Sequence, residues 1–545
     1  MPRFLRPLFP ALLFLLALAP AAGAQKARVG KEWFPDPQYG YRFKYPQDWM
    51  VAPVQPSERR LGLVAQFSGP DLSTKLPGNK VVPYATLLQV YAFGQKAAVT
   101  RDDDEGTGGL RGRLGSEDSG RQKIGDLLPH ITIGDDWRVP PALEDEEEKK
   151  IRDLVAEHQV WKGDNGTVEI DFDCWTFHLD DHDIVLVFAI PDQHFKKWKK
   201  VFAGCAKTFQ LIDREEAASF VDSSGSYEDL LAYHRDEVSR TPGWELLEVP
   251  SKRYLIKTSS KDKKFLQEVI DRLEKSRDLY ERDFPPSEPI RNISVVRVCS
   301  TLEEFHKYGK TGGGVAGWFN PASEELVIVD FKNYDRKMTF GVISHEAFHQ
   351  YCHFLFDQSE AHRWFDEGHG DYYGAFEFKG KKAIPHAKMA GGLDRLSVIR
   401  EMVRKKNWVP IGEHIRYDHQ TWQSKGIASY SESWAIIYFL RMGMLGEVPK
   451  KLWRPEYGQI IPNYVRTLNE GFRQAYAEIR QQMEQEAKAE GKEFDEAAFK
   501  EQRRWRVEQY KEKIWKDALD ASWGQVDIEQ FERDWAEYVD RYLKD

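Results

Sequence analysis

Two histidines four residues apart indicate the chemistry of this sequence most directly. On a helix, His345 and His349 lie on one face, so both imidazoles can bind one metal ion. Glu346, directly after the first histidine, is placed to take a proton from water that the metal activates, as in the His-Glu-x-x-His motif. Glu367 supplies a carboxylate as the third ligand. Because two histidines and one glutamate leave a fourth coordination position open, these residues predict a catalytic zinc site rather than a structural one.

Two helices are predicted to position this site. Apolar residues surround the histidines, from Phe340 before them to Phe354 after them, as expected for a helix in a core. A second helix opens near Arg363, with Glu367 in its early turns. Asp371 follows Glu367 by four residues and therefore lies one turn along the same face. We expect its carboxylate to accept the N–H of a ligating histidine and to fix the tautomer of that ring.

Other potential ligands crowd the same segment. His353 continues the four-residue spacing, but it lies about 12 Å along the helix from the first ligand, too far to share one ion, and is expected to be packed or solvated. His362, Asp366 and His369 flank the third ligand and stay open as alternatives, and His369 could instead face the cleft and bind substrate. A metzincin-type third histidine is excluded because Leu355 occupies its position.

These residues resemble the gluzincin clan of zinc metallopeptidases, in which a glutamate on a second helix completes a His-Glu-x-x-His site. The resemblance implies that His345, His349 and Glu367 bind zinc, that Glu346 is the general base and that Asp371 orients a histidine. The activity it implies is hydrolysis of peptide bonds in a peptide or protein substrate.

The resemblance covers roughly the C-terminal half of the chain. Residues 364–373 are similar to the clan's Trp-x-x-Glu-Gly-x-Ala-x-Tyr pattern, with Gly370 where alanine is common. From about Lys252 onwards, the chain looks like a group of exported bacterial gluzincin-like proteins. In the clan, the strand before the metal helix forms the cleft edge and pairs with extended substrate, a role that the resemblance gives to Glu325–Asp330; a core strand is the alternative.

A stabiliser of the transition state is harder to assign. Tyr430, in an apolar helical segment, could offer its hydroxyl to the oxyanion of a tetrahedral intermediate, as tyrosine or histidine does in related enzymes. Helix packing is the other interpretation of this side chain. His414 and His419 are alternative donors.

The N-terminus predicts export. Arg3 and Arg6 precede an apolar run, Leu8–Ala19, and the small residues up to Ala24 form a cleavage pattern, so residues 1–24 are expected to be a signal peptide. We expect the mature protein in the periplasm or outside the cell, without a membrane span, because no later segment is long and apolar enough. A formal net charge of −9 gives no electrostatic footprint for nucleic acid.

The length and pattern of the sequence predict an α+β protein of several domains. After the signal peptide we expect an N-terminal α+β domain, a helical linker, a zincin-like domain with a mixed sheet, and a helical C-terminal region. The boundaries predicted for these parts are residues 32–213, 214–251, 252–450 and 451–545. The sequence does not indicate an oligomeric state.

The N-terminal domain weakly resembles the PsbP family of photosystem proteins. The resemblance rests on a Phe-x-Tyr-Pro-x-x-Trp stretch that begins at Phe43 and on a helix predicted near the end of the domain, His194–Ala206. We also predict a helix at Glu144–Glu157 and a loop or insertion at Asp102–Gln122, which lacks apolar periodicity.

The four cysteines are too few for a disulfide scaffold. A bridge between Cys174 and Cys205 could close a loop inside the first domain, whereas Cys352 on the metal helix is expected to be a buried free thiol.

Two alternatives to a peptidase remain open. One is an exported binding or scaffold protein with a zincin fold and no catalytic activity. The other is a zinc amidase that acts on a non-peptide or cell-wall amide, since aromatic residues such as Trp318 and Tyr372 suit sugar rings as well as apolar peptide side chains.

Overall fold

A computed structural model describes most of this chain. The described residues are 27–52, 54, 62–76, 81–84, 86–94, 123–130, 137–214, 223–239, 241–309, 316–321, 323–331, 336–380, 382–388 and 394–544. The predicted signal peptide, and the loop or insertion predicted at Asp102–Gln122, lie outside them. The α+β fold class is confirmed, because helices and several separate sheets make up the described part.

An antiparallel sheet of seven strands dominates the N-terminal part. Its strands, in spatial order, are Met50–Ala52, Leu63–Ser68, Leu87–Gly94, His182–Pro191, Glu169–His178, Leu154–Asp164 and Val139–Ile151. Smaller sheets are formed by Val29–Asp36, Tyr41–Pro46 and Gln210–Leu211, and by Leu72–Lys75 and Val81–Tyr84. The predicted helix near the end of this part is present as Asp192–Ala206.

The helix predicted at Glu144–Glu157 is wrong. The segment is an antiparallel hairpin of Val139–Ile151 and Leu154–Asp164, with Arg152 in the turn at a φ of 57°. Charged residues with helix propensity occupy the outermost strand, whose side chains are almost all exposed. Pairing between the two strands outweighs the helix propensity of these residues. The charged side chains on this outermost strand also oppose the addition of a further strand.

All four cysteines are buried and free, so the possible Cys174–Cys205 bridge does not form. Alternation along a strand sends Cys174 to one face of the seven-stranded sheet, where it packs with Phe172. Cys205 belongs to the core on the other face, with Trp175 and Phe202. Cys352 is buried and free, as predicted.

A mixed five-stranded sheet supports the predicted metal site. Its order is Glu245–Glu248, Tyr254–Thr258, Ser294–Cys299, Glu325–Val329 and Gly317–Asn320. The three central strands are parallel and the two outer ones antiparallel to their neighbours. The assignment of Glu325–Asp330 to the cleft edge is therefore wrong, because the strand that it contains, Glu325–Val329, lies inside the sheet. The strand next to it, Gly317–Asn320, is one of the two outer strands of the described sheet, and we call it the edge strand.

Helices cover the five-stranded sheet and continue to the C-terminus. They span Tyr227–Ser239, Lys263–Asp283, Leu302–Gly309, Arg336–Leu355, Arg363–Gly374, Arg395–Lys405, Ile411–His414, His419–Ser424, Ile427–Met444, Tyr457–Ala489, Glu496–Arg506, Glu508–Trp523 and Ile528–Arg541. A hairpin of Glu377–Lys379 and Lys382–Ile384 lies between two of them. Short helices at Ile124–Leu127, Leu128–His130 and Lys450–Leu452 complete the set.

One apolar core joins the sheet to the C-terminal helices. Leu326 of the sheet, Phe348 and Phe365 of the metal-site helices and Trp535 near the C-terminus all belong to it. The C-terminal helices are therefore packed elements rather than a separate tail. Among the described helices, none has the length and apolar character needed to cross a membrane.

Candidate metal centre

The helix Arg336–Leu355, here called the His helix, is buried around most of its circumference. It packs between the sheet and the helix Lys263–Asp283, and Tyr280 of that helix donates its hydroxyl to the backbone oxygen of Ser344 at 2.5 Å. His345 and His349 lie one turn apart, with ring centroids separated by 4.7 Å. The predicted spacing therefore brings the two imidazoles together on one face.

The helix Arg363–Gly374, here called the Glu helix, brings Glu367 to these rings. One carboxylate oxygen, Oε2, lies 3.3 Å from Nε2 of His345 and 3.6 Å from Nε2 of His349. One ligand atom from each residue falls within 4.8 Å of the others, and all three residues are buried. Among the described residues, this is the group whose geometry could hold a metal ion.

Glycine allows the two helices to approach this closely. A Cβ at Gly370 would lie 2.9 Å from Cε1 of His345. The departure from the alanine of the gluzincin pattern thus leaves room for the imidazole. A Cβ at Gly368 would lie 2.7 Å from the backbone oxygen of Ser433, on the helix Ile427–Met444 behind the site.

Each histidine has its own carboxylate behind it. Oδ1 of Asp371 lies 3.1 Å from Nδ1 of His345. Oδ1 of Asp366 lies 2.9 Å from Nδ1 of His349. A carboxylate at Nδ1 fixes the tautomer that leaves Nε2 free for a metal. Asp371 lies where the sequence predicted, whereas Asp366, an alternative ligand by sequence, contacts the far side of a histidine.

The electrostatics of the cluster suit a bound cation. Burial disfavours the charged imidazole of His349. The negative charges of Asp366 and Glu367 outweigh the effect of burial, so the pKa of His349 is raised well above the usual range. For His345, Asp371 and Glu367 outweigh burial and raise the pKa to about 9. Burial opposes ionisation of Glu367, yet the histidines hold its pKa well below the usual range. Positive charge is therefore favoured between these groups.

Hydrogen bonding supports the same fit. Nε2 of His349 and Oε2 of Glu367 are buried atoms that make no hydrogen bond within the described residues, and the same holds for Nδ1 of both histidines and the facing Oδ1 atoms of Asp366 and Asp371. Unpaired buried polar atoms are costly, and a cation that binds the first two atoms would remove that cost for them. Two imidazole nitrogens and one carboxylate oxygen are the donor set of catalytic zinc sites, so these residues fit zinc.

Glu346 lies between the cluster and the edge strand. Its Oε2 accepts the backbone N–H of Phe319 at 3.1 Å. Burial raises the pKa of this carboxyl, while the neighbouring histidines act in the opposite direction. A carboxylate with a raised pKa is a better proton acceptor, which suits the predicted role of general base.

Tyr430 packs beside the cluster, with its ring 4.6 Å from the guanidinium carbon of Arg395. Burial, then the negative charge of Glu367, raises the pKa of its hydroxyl well above the usual range. Of the alternative donors, His414 is fully buried between Glu432 at 3.0 Å and Ser433 at 2.8 Å. His419 accepts a hydrogen bond from Arg363 at 3.2 Å.

The competing histidines have structural contacts. The expectation that His369 could face the cleft is wrong, because it is fully buried between the backbone oxygen of Phe365, at 2.8 Å, and Nε of Arg441, at 3.2 Å. His362 caps the start of the Glu helix by accepting the N–H of Trp364. His353 is packed, as expected, with Nε2 3.5 Å from Oε1 of Glu324.

Sequence reasoning missed two arginines that bind the carboxylates of the site. Arg363 donates to Oε1 of Glu367 at 3.0 Å, and Arg395 donates to Oδ2 of Asp371 at 2.7 Å. The first contact follows the spacing i, i+4 on one helix, a signal that the sequence does contain. The second contact joins residues that lie 24 positions apart on two different helices, and no local pattern predicts such a contact.

No protein-family model matches this chain, and no curated protein matches it either. Among solved structures, the solution structure of PsbP (CyanoP) from the cyanobacterium Synechocystis is 16% identical, covering 36% of this chain and 98% of its own, with a TM-score of 0.23. A crystal structure from Bacteroides thetaiotaomicron is 11% identical, covering 65% of this chain and 84% of its own, with a TM-score of 0.19. Likenesses this weak carry no argument about function.

Proposed function

We propose that this chain is an exported zinc-dependent metallopeptidase of the gluzincin type. The observation that carries the proposal is the convergence of two His Nε2 atoms and Oε2 of Glu367, with Glu346 buried beside them. A structural zinc site needs no separate carboxylate beside its ligands, whereas hydrolysis needs a group that accepts the proton of water. The charged and apolar pattern of the first 24 residues supports export.

Zinc held by His345, His349 and Glu367 would supply a Lewis acid that lowers the pKa of water and polarises a carbonyl. Glu346 takes the proton of the attacking water on its carboxylate and passes it to the leaving amine. Asp371 and Asp366 keep the two imidazoles in the ligating tautomer. Tyr430 is our candidate for donating a hydrogen bond to the oxyanion.

The edge strand favours a peptide over other amides. The N–H of Phe319 points to Glu346 rather than to the neighbouring strand, so the outer side of this strand faces the proposed base. An extended peptide that adds to this edge by backbone hydrogen bonds would place a peptide carbonyl next to Glu346. A non-peptide amide lacks the repeated backbone groups that such pairing needs.

The test compares the mature protein with Glu346→Gln for zinc content and for cleavage of a diverse peptide library. We expect zinc in both proteins and cleavage by the wild type alone, because glutamine keeps the shape of the side chain but cannot accept a proton. Zinc in both proteins without any cleavage would favour a binding role or a different amide. Cleavage by the variant would contradict the role of Glu346.

A further inference from the structure

Arg363 and the two histidines contact different oxygens of Glu367. Nη1 of Arg363 donates to Oε1 at 3.0 Å. Oε2 is the oxygen that lies 3.3 Å from Nε2 of His345 and 3.6 Å from Nε2 of His349. One oxygen of the Glu367 carboxylate therefore accepts a hydrogen bond from an arginine, and the other oxygen faces the candidate metal position.

Burial makes the arginine contact necessary. Glu367 has no exposed surface, so water cannot hydrogen-bond to Oε1 and a protein group must. Arg363 precedes Glu367 by one helical turn, which places its side chain along the same face. Its Nε also donates to Nδ1 of His419 at 3.2 Å, which holds the guanidinium plane in place.

The two oxygens of Asp371, the second carboxylate of the site, also contact different groups. Nε of Arg395 donates to Oδ2 of Asp371 at 2.7 Å, while Oδ1 of Asp371 lies 3.1 Å from Nδ1 of His345. In both cases an arginine engages one oxygen and leaves the other for the metal side of the site. This repetition argues that the Arg363 contact is part of how the site is built.

We propose that Arg363 is a positioning residue that makes Glu367 a one-oxygen metal ligand. A charge-assisted hydrogen bond holds Oε1 away from the ion, so Oε2 alone reaches it and the fourth coordination position stays open. The guanidinium also balances the buried carboxylate before metal arrives, so the ligands are arranged in advance. The inference rests on the metal centre of the proposed function.

The experiment measures zinc affinity by chelator competition and the visible spectrum of the cobalt-substituted protein, on the mature full-length chain. Arg363→Met removes the donors and keeps much of the length. We expect zinc affinity to fall by about 10- to 100-fold, as for other partners of metal ligands. We also expect weaker cobalt d–d bands, because a glutamate that binds through both oxygens raises the coordination number. Arg363→Lys, which keeps one charged donor, should recover part of both properties.

Arg277→Met is the matched control. Arg277 is more deeply buried than Arg363 and likewise donates to a glutamate four residues away, Glu281, at 2.8 Å, but it contacts no proposed ligand. Its zinc affinity and cobalt spectrum should equal those of the wild type. If Arg363→Met fails to fold, Arg363→Lys carries the test, with an expected loss of affinity and a changed spectrum.

Three results would overturn the inference, and the third differs in meaning from the first two. If the wild type binds zinc and the Arg363 variants match it in affinity and spectrum, the positioning role is wrong and the metal centre stands. An equal loss in the Arg277 control would have the same meaning. If the wild type binds no zinc, the proposed metal centre fails, and the role of Arg363 fails with it.

Discussion

The backbone N–H of Phe319 donates to Oε2 of Glu346 at 3.1 Å. This bond joins the edge strand to the His helix, two elements that no local sequence pattern relates. It fixes the proposed general base beside the last strand of the described five-stranded sheet. The sheet, rather than the metal-site helices alone, therefore sets the position of Glu346.

The close approach of the edge strand to the His helix depends on Gly317. A Cβ there would lie 2.7 Å from Cγ1 of Val342 and 3.3 Å from Cγ of Glu346. We expect Gly317→Ala to push the strand away, to lower peptidase activity by at least about tenfold and to cost about 1–3 kcal/mol in the free energy of unfolding. Zinc content should not change. Gly94→Ala, where a Cβ meets nothing within 4 Å, is the control. Equal activity in both variants would refute the dependence.

Gly370 leaves the space that the ring of His345 occupies. A Cβ at this position would lie 2.9 Å from Cε1 and 3.0 Å from Nδ1 of that ring. Gly370→Ala should displace the imidazole and weaken zinc binding by about tenfold or more, measured by chelator competition. Gly412→Ala, another helical glycine with its nearest contact at 3.5 Å, should bind zinc as the wild type does. Wild-type affinity in Gly370→Ala would show that the helices have room to adjust.

We expect Asp366, with Oδ1 2.9 Å from Nδ1 of His349, to orient that ring and to matter as much as Asp371 does for His345. Asp366→Asn keeps the size of the side chain but removes the charge that favours the proton on Nδ1. We expect zinc affinity to fall by about 10- to 100-fold, with a similar loss in Asp371→Asn. Competition titrations of both variants measure this. A loss in Asp371→Asn alone would mean that the contact of Asp366 with His349 is incidental.

Asp171 in the N-terminal sheet should make stability depend on pH. Burial, followed by the charge of Asp192, raises its pKa from 3.8 to about 7. The folded state therefore holds this proton more tightly than the unfolded state does. The contribution of this group to the free energy of unfolding is fully present below about pH 4 and is lost as the pH rises to about 7.

Asp171→Asn should remove that dependence. At pH 8 we expect the variant to exceed the wild type by about 1–3 kcal/mol in the free energy of unfolding, because no buried charge forms. Urea unfolding at pH 5 and at pH 8 measures the difference. Glu148→Gln, at an exposed position on the outermost strand of the same sheet, is the control. A variant that is less stable than the wild type at pH 8 would contradict the sign.

The spacing of residues along the chain was enough to predict the local parts of the site. His345 and His349 meet on one helix face, and Asp371 follows Glu367 by one turn, because helix geometry alone fixes these relations. The same reasoning failed for Glu144–Glu157, where local propensity favoured a helix. Pairing with Leu154–Asp164 is a non-local interaction, and it made the segment a strand.

The sequence by itself was enough to predict the α+β class, the proposed donor set and the proposed chemistry, since these predictions follow from residue types and periodicity. Only the tertiary structure decided which strand forms the edge, that His369 is buried and that Arg395 binds Asp371. Contacts between distant segments depend on how helices and strands pack, and this packing depends on all the side chains of the core together. For this reason the proposed chemistry can be predicted from a few residues, whereas the groups that hold those residues in position cannot.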